Sequence, residues 1–207
     1  MLKILSSDCS VLPNILSGFM NVTVGISGYW TFGSVVTHSC AIGHYLTSNL
    51  TIMCLSNGIW NGSQPACQVV NCSRPSAPNN GWYTPEKNVY YYLNVVNYSC
   101  QTGYDLDGTN TSECNATGQW SEDIPECVIK ECGNLTDPEN GVVYPNCTHY
   151  DCSAIYVCDQ GYMPNTENPR ICQAWGNWSE SPTCDVICTY INFMLNTLLR
   201  LGLSCMT

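Results

Sequence analysis

Charged side chains are scarce in this sequence. Only 11% of the 207 residues are Asp, Glu, Lys or Arg, and 6 basic residues stand against 16 acidic ones. The formal net charge of −10 repels nucleic acids, heparin-like polymers and anionic membrane surfaces. We therefore expect no nucleic-acid partner and no binding of polyanions.

Catalytic motifs are also missing. The chain has three His residues, and it contains no Gly-x-Ser-x-Gly, no His-Glu-x-x-His and no Gly-Lys-Ser/Thr loop. Residues 105–110, Asp-Leu-Asp-Gly-Thr-Asn, lack the spacing and the distant Glu of a calcium loop. We expect no catalytic residue, no metal site and no cofactor, so the chain is not predicted to be an enzyme.

Long hydrophobic runs and helical periodicity are absent from residues 9–184. The tail from Ile187 to Thr207 is more apolar, but Arg200 and two Asn residues interrupt it, whereas a spanning helix needs about 20 mostly apolar residues. Three interpretations of the tail stay open: read-through beyond a truncated fourth repeat, a short element packed on the third repeat, or an anchor signal. No membrane span is assigned.

The N-terminal segment, residues 1–8, shows no signal peptide with a small-residue cleavage site. We leave this segment unassigned. A chain with secreted character but no leader suggests a fragment or an incomplete gene model.

Cysteine, in contrast, is abundant, with 16 residues. A reducing cytosol would keep such thiols free, so this density indicates disulfides and an oxidising, extracellular compartment, either secreted or the ectodomain of a membrane protein. Zinc is disfavoured because no two Cys are separated by two residues and the His residues complete no ligand spacing.

Asn-x-Ser/Thr triplets support the same location, since there are ten of them. Three are disfavoured because Cys72, Cys147 or Trp178 directly follows the Asn. The remaining seven are candidate glycosylation sites: Asn21, Asn49, Asn61, Asn97, Asn110, Asn115 and Asn134.

The spacing of the Cys residues repeats three times along the chain. Four Cys bound each of the segments 9–67 (repeat 1), 72–127 (repeat 2) and 132–184 (repeat 3), with connectors of three or four residues. Cys147 and Cys152 are additional in repeat 3, and Cys188 stands where a fourth repeat, 188–207, would open but is truncated. The role of Cys205 is open.

Other residues recur at the same phase of each repeat. A Gly stands three residues after the second Cys, a Gly-x-Trp follows the third Cys, and a Pro lies two residues before the fourth. The Gly and Trp positions are Gly43, Gly103, Gly161, Trp60, Trp120 and Trp178.

This pattern resembles the complement control protein family, whose modules are also called sushi or short consensus repeats. The resemblance covers residues 9–184 and implies all-β, tandem, disulfide-stapled modules in an elongated array. Repeat 1 departs from the family pattern in lacking an Asn-Gly turn and in having His44 between its Gly and Tyr.

The resemblance also implies a pairing, first Cys to third and second to fourth; the sequence alone would leave three pairings per repeat. The implied pairs are Cys9–Cys54, Cys40–Cys67, Cys72–Cys114, Cys100–Cys127, Cys132–Cys172 and Cys158–Cys184. We further expect Cys147 and Cys152 to close a small loop on each other.

Strands and a small core are predicted in each repeat. Runs of β-branched and aromatic residues, such as Val95 to Ser99, are bounded by Gly, Pro and Asn. A segment of 53 to 59 residues buries little apolar surface, so the bridges must supply much of its stability. We expect Trp60, Trp120 and Trp178 to fill the core between the bridges.

A cluster of three Tyr residues, Tyr90, Tyr91 and Tyr92, is a candidate partner patch, because Tyr is enriched at interfaces. The alternative is that two of the three alternate into a strand. The favoured function is recognition of extracellular proteins or glycoproteins, in adhesion or complement-type regulation. The alternative is a non-catalytic part of a modular serine protease or other extracellular enzyme.

Overall fold

In a computed structural model, residues 8–25 and 29–187 are described and contain only strands, turns and loops. The prediction of an all-β, disulfide-stapled module array is confirmed for this part of the chain. The expectations for residues 1–7 and for the tail 188–207, including Cys188 and Cys205, lie outside the described residues.

The strands are short and follow the cysteine repeats. Repeat 1 contains β1 (Gly18–Thr23), β2 (Val35–Cys40), β3 (His44–Leu46), β4 (Thr51–Met53) and β5 (Cys67–Val69). Repeat 2 and its connectors contain β6 (Asn71–Cys72), β7 (Gly81–Thr84), β8 (Tyr90–Tyr91), β9 (Val95–Cys100), β10 (Tyr104–Asp107), β11 (Thr111–Glu113) and β12 (Glu126–Ile129). Repeat 3 contains β13 (Gly141–Pro145), β14 (Ser153–Cys158), β15 (Tyr162–Pro164), β16 (Arg170–Ile171) and β17 (Cys184–Val186).

The central strand of each repeat is the one that ends at its second Cys. The three-stranded sheets have the orders β1-β2-β4, β11-β9-β7 and β13-β14-β16. Shorter antiparallel pairs, β3-β5, β10-β12 and β15-β17, join the segment after the second Cys to the end of the repeat. In β2 and β9 alternate residues are buried, as expected for strands with one face on a core.

The chain forms two compact units. The first comprises residues 1–77, 83–99 and 108–125, and its buried side chains include Val36, Ile52, Tyr90 and Val96. The second comprises residues 78–82, 100–107 and 126–207, and its described part buries Val143, Cys152, Ala154 and Cys172.

Seven disulfides cross-link the described residues. In each repeat the first Cys is joined to the third and the second to the fourth, with Cα–Cα distances between 5.6 and 5.9 Å. A seventh bridge joins Cys147 and Cys152, which are five positions apart. The third Cys of every repeat is fully buried, so one bridge of each pair lies at the centre of its small core.

The three Trp residues differ from the expectation that they fill the core. Trp60, Trp120 and Trp178 are half-buried rather than fully buried. Each Trp forms a β-bridge with the third Cys of its repeat. Its Nε1 donates to the carbonyl of the residue after the first Cys, at 2.9 to 3.0 Å. The Trp residues therefore link the segment after the third Cys of each repeat to the start of that repeat.

Candidate functional site

The predicted tyrosine patch is not a continuous surface. Tyr91 is 45% exposed and Tyr92 is half-buried, whereas Tyr90 is 0% exposed. The prediction is therefore wrong for Tyr90, which cannot contact a partner in the folded chain. The alternation of a strand explains the difference, because β8 turns Tyr90 inward and Tyr91 outward.

Tyr90 is instead a fully bonded core residue. Its ring packs edge-on against Trp120, with ring centroids 5.3 Å apart. Its hydroxyl donates to the Pro85 carbonyl at 2.9 Å and accepts the Lys87 N–H at 2.9 Å. Tyr90 therefore fastens the loop before β8 to the core of repeat 2.

A second tyrosine pair lies beside it. Tyr83 and Tyr98 are buried and pack edge-on at 6.3 Å. The Arg74 Nε donates to the Tyr83 hydroxyl at 2.8 Å, and the guanidinium also pairs with Glu86 at 3.0 Å. These contacts raise the pKa of Arg74, chiefly through the hydrogen bond to Tyr83. The loop after β7 is thus braced to the start of repeat 2, which favours a structural role.

Burial raises the pKa of the Tyr98 and Tyr90 phenols, because an ionised ring is poorly solvated there. In the unfolded chain these phenols ionise near pH 10, whereas burial keeps them neutral to higher pH in the folded chain. Their contribution to the free energy of unfolding is therefore fully present below about pH 10 and is lost as the pH rises above it. We predict that Tyr98→Phe weakens the fall in stability between pH 8 and pH 11, as measured by urea unfolding. An unchanged fall would contradict this account.

The exposed apolar surface of repeat 3 is the stronger candidate. On the hairpin β13–β14, Val142 lies opposite Val157 and Tyr144 lies opposite Ile155. These four side chains, which we call the hairpin face, are 38 to 58% exposed, while Val143 and Ala154 on the opposite side are buried. An apolar residue exposed alone is ordinary, but two adjacent cross-strand pairs form a continuous patch.

The same position in the other repeats carries a glycosylation triplet. Asn97 stands three residues before the second Cys of repeat 2, as Ile155 does in repeat 3. In repeat 1, Asn21 lies opposite Thr37, the residue that also precedes its second Cys by three positions. The hairpin face is therefore the corresponding surface without an Asn-x-Ser/Thr triplet. The run Val142-Val143-Tyr144 does not by itself show which side chain faces outward, so this face was not predicted from the sequence.

The candidate glycosylation residues are mostly on the surface. Asn21, Asn49, Asn61, Asn97, Asn110 and Asn134 are exposed. Asn115 is half-buried, and its Oδ1 accepts hydrogen bonds from the backbone N–H groups of Thr117 and Gln119 and from the Thr117 hydroxyl. Asn115 therefore holds the turn before Trp120 in shape.

Within the part of the chain that the structure describes, one cluster has the residue types of a metal site. Cys147, His149 and Cys152 bring their donor atoms within 4.8 Å of one another. Both sulfurs are joined to each other, and the His149 Nδ1 lies 3.3 Å from the Cys152 Sγ. A disulfide sulfur is not the thiolate that binds metals, so this oxidised cluster offers one imidazole only.

Among residues 8–25 and 29–187, no helix has the length and apolar character needed to cross a membrane.

Known proteins match this chain over the same three repeats. The model of the Sushi repeat (SCR repeat) matches residues 9–67, 72–127 and 132–184. Sushi repeats of this kind are non-catalytic extracellular adhesion or recognition modules. The predicted family resemblance is confirmed.

Three relatives illustrate the range. Sushi, von Willebrand factor type A, EGF and pentraxin domain-containing protein 1 of Rattus norvegicus is 33% identical over 87% of this chain and 5% of its own length. E-selectin of Homo sapiens is 30% identical over 86% of this chain and 30% of its own length. P-selectin of Mus musculus is 30% identical over 77% of this chain and 22% of its own length.

The chain thus spans less than a third of each of these relatives. The three matched segments together cover most of its residues. The chain therefore belongs to the Sushi repeat family.

Proposed function

We propose that the chain is an adhesion-type recognition array that binds an extracellular protein or glycoprotein through the hairpin face of repeat 3. The supporting observation is the exposed quartet of Val142, Tyr144, Ile155 and Val157 on one face of a disulfide-bounded hairpin. Similarity to selectins favours adhesion over complement-type regulation.

The shape and chemistry of this face suit a protein partner. Tyr144 is the aromatic residue of this face, and Tyr is enriched where a few side chains carry most of the binding energy. Regular backbone hydrogen bonds hold β13 and β14 in register, so little conformational entropy is lost when a partner binds. The partner surface is expected to be apolar at the point of contact.

Charge narrows the class of partner. The net charge of −10 disfavours an acidic partner at long range. A neutral or basic protein surface with an apolar centre is therefore the occupant we propose. Charge then sets the rate of encounter, and the hairpin face supplies the affinity.

A glycan placed on the face tests the proposal. The double variant Ile155→Asn with Val157→Thr creates the triplet Asn-Tyr-Thr, which reproduces the Asn97-Tyr98-Ser99 arrangement of repeat 2. Tyr156, whose hydroxyl accepts a hydrogen bond from Arg170, is left in place. We expect the double variant, prepared as a fluorescent tetramer, to bind intact cells and immobilised matrix at least about tenfold more weakly than the unmodified chain in the same form.

Ile155→Asn alone is the matched control, because it adds polarity without completing the triplet. Mass spectrometry verifies the glycan, and disulfide mapping with thermal melting verifies the fold. Undiminished binding by the glycosylated double variant would remove the hairpin face from the proposal.

A further inference from the structure

The junction between consecutive repeats has a recurring construction. At Gly43 of repeat 1, an added Cβ would lie 2.0 Å from Cδ1 of Tyr92 in repeat 2. At Gly103 of repeat 2, an added Cβ would lie 2.0 Å from Cδ1 of Tyr150 in repeat 3. Each Gly is buried, and the space that a side chain would fill is occupied by the aromatic ring of the next repeat. We call this space, together with the Gly, a seat.

A backbone relay accompanies each seat. The Val70 N–H donates to the Gly43 carbonyl at 2.8 Å, and the Tyr92 N–H donates to the Val70 carbonyl at 2.9 Å. At the second junction the Lys130 N–H donates to the Gly103 carbonyl at 2.9 Å and the Tyr150 N–H donates to the Lys130 carbonyl at 2.8 Å. One connector residue therefore links the seat to the residue that fills it.

The chain is shaped in the same way behind each ring. Leu93 and Asp151, which follow the two Tyr residues, both have φ of 67°. Their N–H groups donate to the carbonyls of the third Cys, Cys114 and Cys172, at 2.9 and 3.0 Å. Residues other than Gly rarely adopt this left-handed backbone conformation. Its repetition therefore indicates that the fold sets the direction of the preceding ring.

In repeat 3 the same seat holds no ring from residues 8–25 or 29–187. The Ile187 N–H donates to the Gly161 carbonyl at 2.8 Å, as Val70 and Lys130 do at the other junctions. Gly161 has φ of 93° and is exposed, and none of the described residues lies within 4 Å of an added Cβ. Repeat 3 thus carries the receiving half of a junction.

Repeat 1 carries the inserting half. Phe32 precedes Gly33, which has φ of 87° and donates its N–H to the Cys54 carbonyl at 3.0 Å. These are the features found behind Tyr92 and Tyr150. Phe32 is 38% exposed, whereas the two seated Tyr residues are half-buried.

We propose that Gly161 and Ile187 form a docking seat for an aromatic side chain of a sushi module joined after residue 187, and that Phe32 is the ring that enters such a seat on a preceding module. Within residues 188–207 the aromatic residues Tyr190 and Phe193 stand three and six positions beyond Ile187. Tyr92 and Tyr150 stand 22 and 20 positions beyond Val70 and Lys130. The occupant is therefore a complete module.

The size of the contact favours a tethered occupant over a second copy of the chain. A stable interface between free proteins buries more than about 1,000 Å², and one aromatic ring supplies only about 200 Å². A connector of a few residues raises the effective concentration of the next module to about millimolar, at which a single ring and one hydrogen bond can hold.

Insertion of a second copy of residues 71–131 between Ile187 and Cys188 of the full chain tests the proposal. The inserted copy of Tyr92 then stands 22 positions beyond Ile187, as Tyr92 does beyond Val70. We expect amide exchange of Ile187 to be about tenfold slower with this Tyr than with Ala in its place. Tyr92→Ala at the first junction, followed by exchange of the Val70 amide, is the positive control.

Gly161→Val supplies a second variant. In the inserted chain this substitution should abolish the protection of Ile187 by blocking the seat. In the original chain, which lacks the inserted Tyr, it should add only backbone strain. Equal exchange of Ile187 in three forms of the inserted chain, with the inserted Tyr, with Ala in its place and with Gly161→Val, would overturn the proposal. So would concentration-dependent self-association of the original chain in sedimentation that both Phe32→Ser and Gly161→Val abolish, since the occupant would then be a second copy.

Discussion

Replacement of Tyr90 with Ala is expected to lower the free energy of unfolding of repeat 2 by about 3 to 5 kcal/mol. The ring is fully buried and packs edge-on against Trp120. Its removal leaves a cavity beside the Cys72–Cys114 bridge segment, because β8 pairs Tyr90 directly with Cys72. It also leaves the Lys87 N–H and the Pro85 carbonyl without the hydroxyl that they share.

Exchange of the β9 amides of Val96 and Tyr98, measured where exchange follows the unfolding equilibrium, reports on repeat 2. Tyr91→Ala is the matched control, because the neighbouring ring points outward and its loss should cost no more than about 0.5 kcal/mol. Tyr90→Phe keeps the packing and loses the hydroxyl, which should cost about 1 to 2 kcal/mol. Equal losses for Tyr90→Ala and Tyr91→Ala would show that the inward orientation is wrong.

The fold was predictable because its strongest constraint, the spacing of the Cys residues, repeats along the sequence. The Cys spacing and the recurring Gly and Trp positions define the phase of each repeat without any knowledge of tertiary contacts. The β-branched runs before each second Cys then identify the central strands β2, β9 and β14. A repeat too short for a large core leaves few other architectures.

The recognition surface was less predictable, since it depends on which face of a strand is buried. Tyr90, Tyr91 and Tyr92 are chemically identical, and only the register of β8 with β6 decides that Tyr90 is inside. The positive φ of Leu93 then ends the alternation of inward and outward side chains. The sequence did not indicate this, because a positive φ is unusual for Leu. Apolar side chains on both faces of β13 concealed the hairpin face in the same way.

The junction seats could not be predicted from the repeating sequence pattern, for a different reason. Gly43 and Tyr92 are far apart in the chain and belong to different repeats, so no pattern within one repeat relates them. The recurring Gly after each second Cys was visible, but its turn conformation alone would explain it. Only the ring on the seat shows that the Gly also makes room for the next repeat.

Loss of the long-range bridge of repeat 3 should have a larger effect than loss of its short one. The Cys132–Cys172 bridge spans 40 positions and the Cys147–Cys152 bridge spans five. In the chain-entropy description, the longer loop stabilises the folded state by about 4 kcal/mol and the shorter by about 2 kcal/mol. Apart from Cys residues, the buried hydrophobic side chains described in repeat 3 are Val143 and Ala154, so little apolar burial compensates.

We therefore expect the double variant Cys132→Ala with Cys172→Ala to leave repeat 3 largely unfolded, with the β14 amides exchanging near the rate of an unstructured chain. The double variant Cys147→Ala with Cys152→Ala should retain protected β14 amides. The two pairs are well matched, because each contains one nearly fully buried Cys, Cys172 and Cys152, and so each leaves a similar gap. Disulfide mapping must show the remaining bridges intact in both.

The difference between the two variants is the informative quantity. Packing losses of similar size cancel in the comparison, and loop length remains, so the exchange-derived stabilities should differ by about 2 kcal/mol. Equal losses would mean that the contacts around the sulfurs, rather than the length of chain that they close, hold repeat 3 together. The larger loss for Cys132–Cys172 would instead show that the covalent tie substitutes for the missing core, which leaves the apolar residues of β13 and β14 free to face outward.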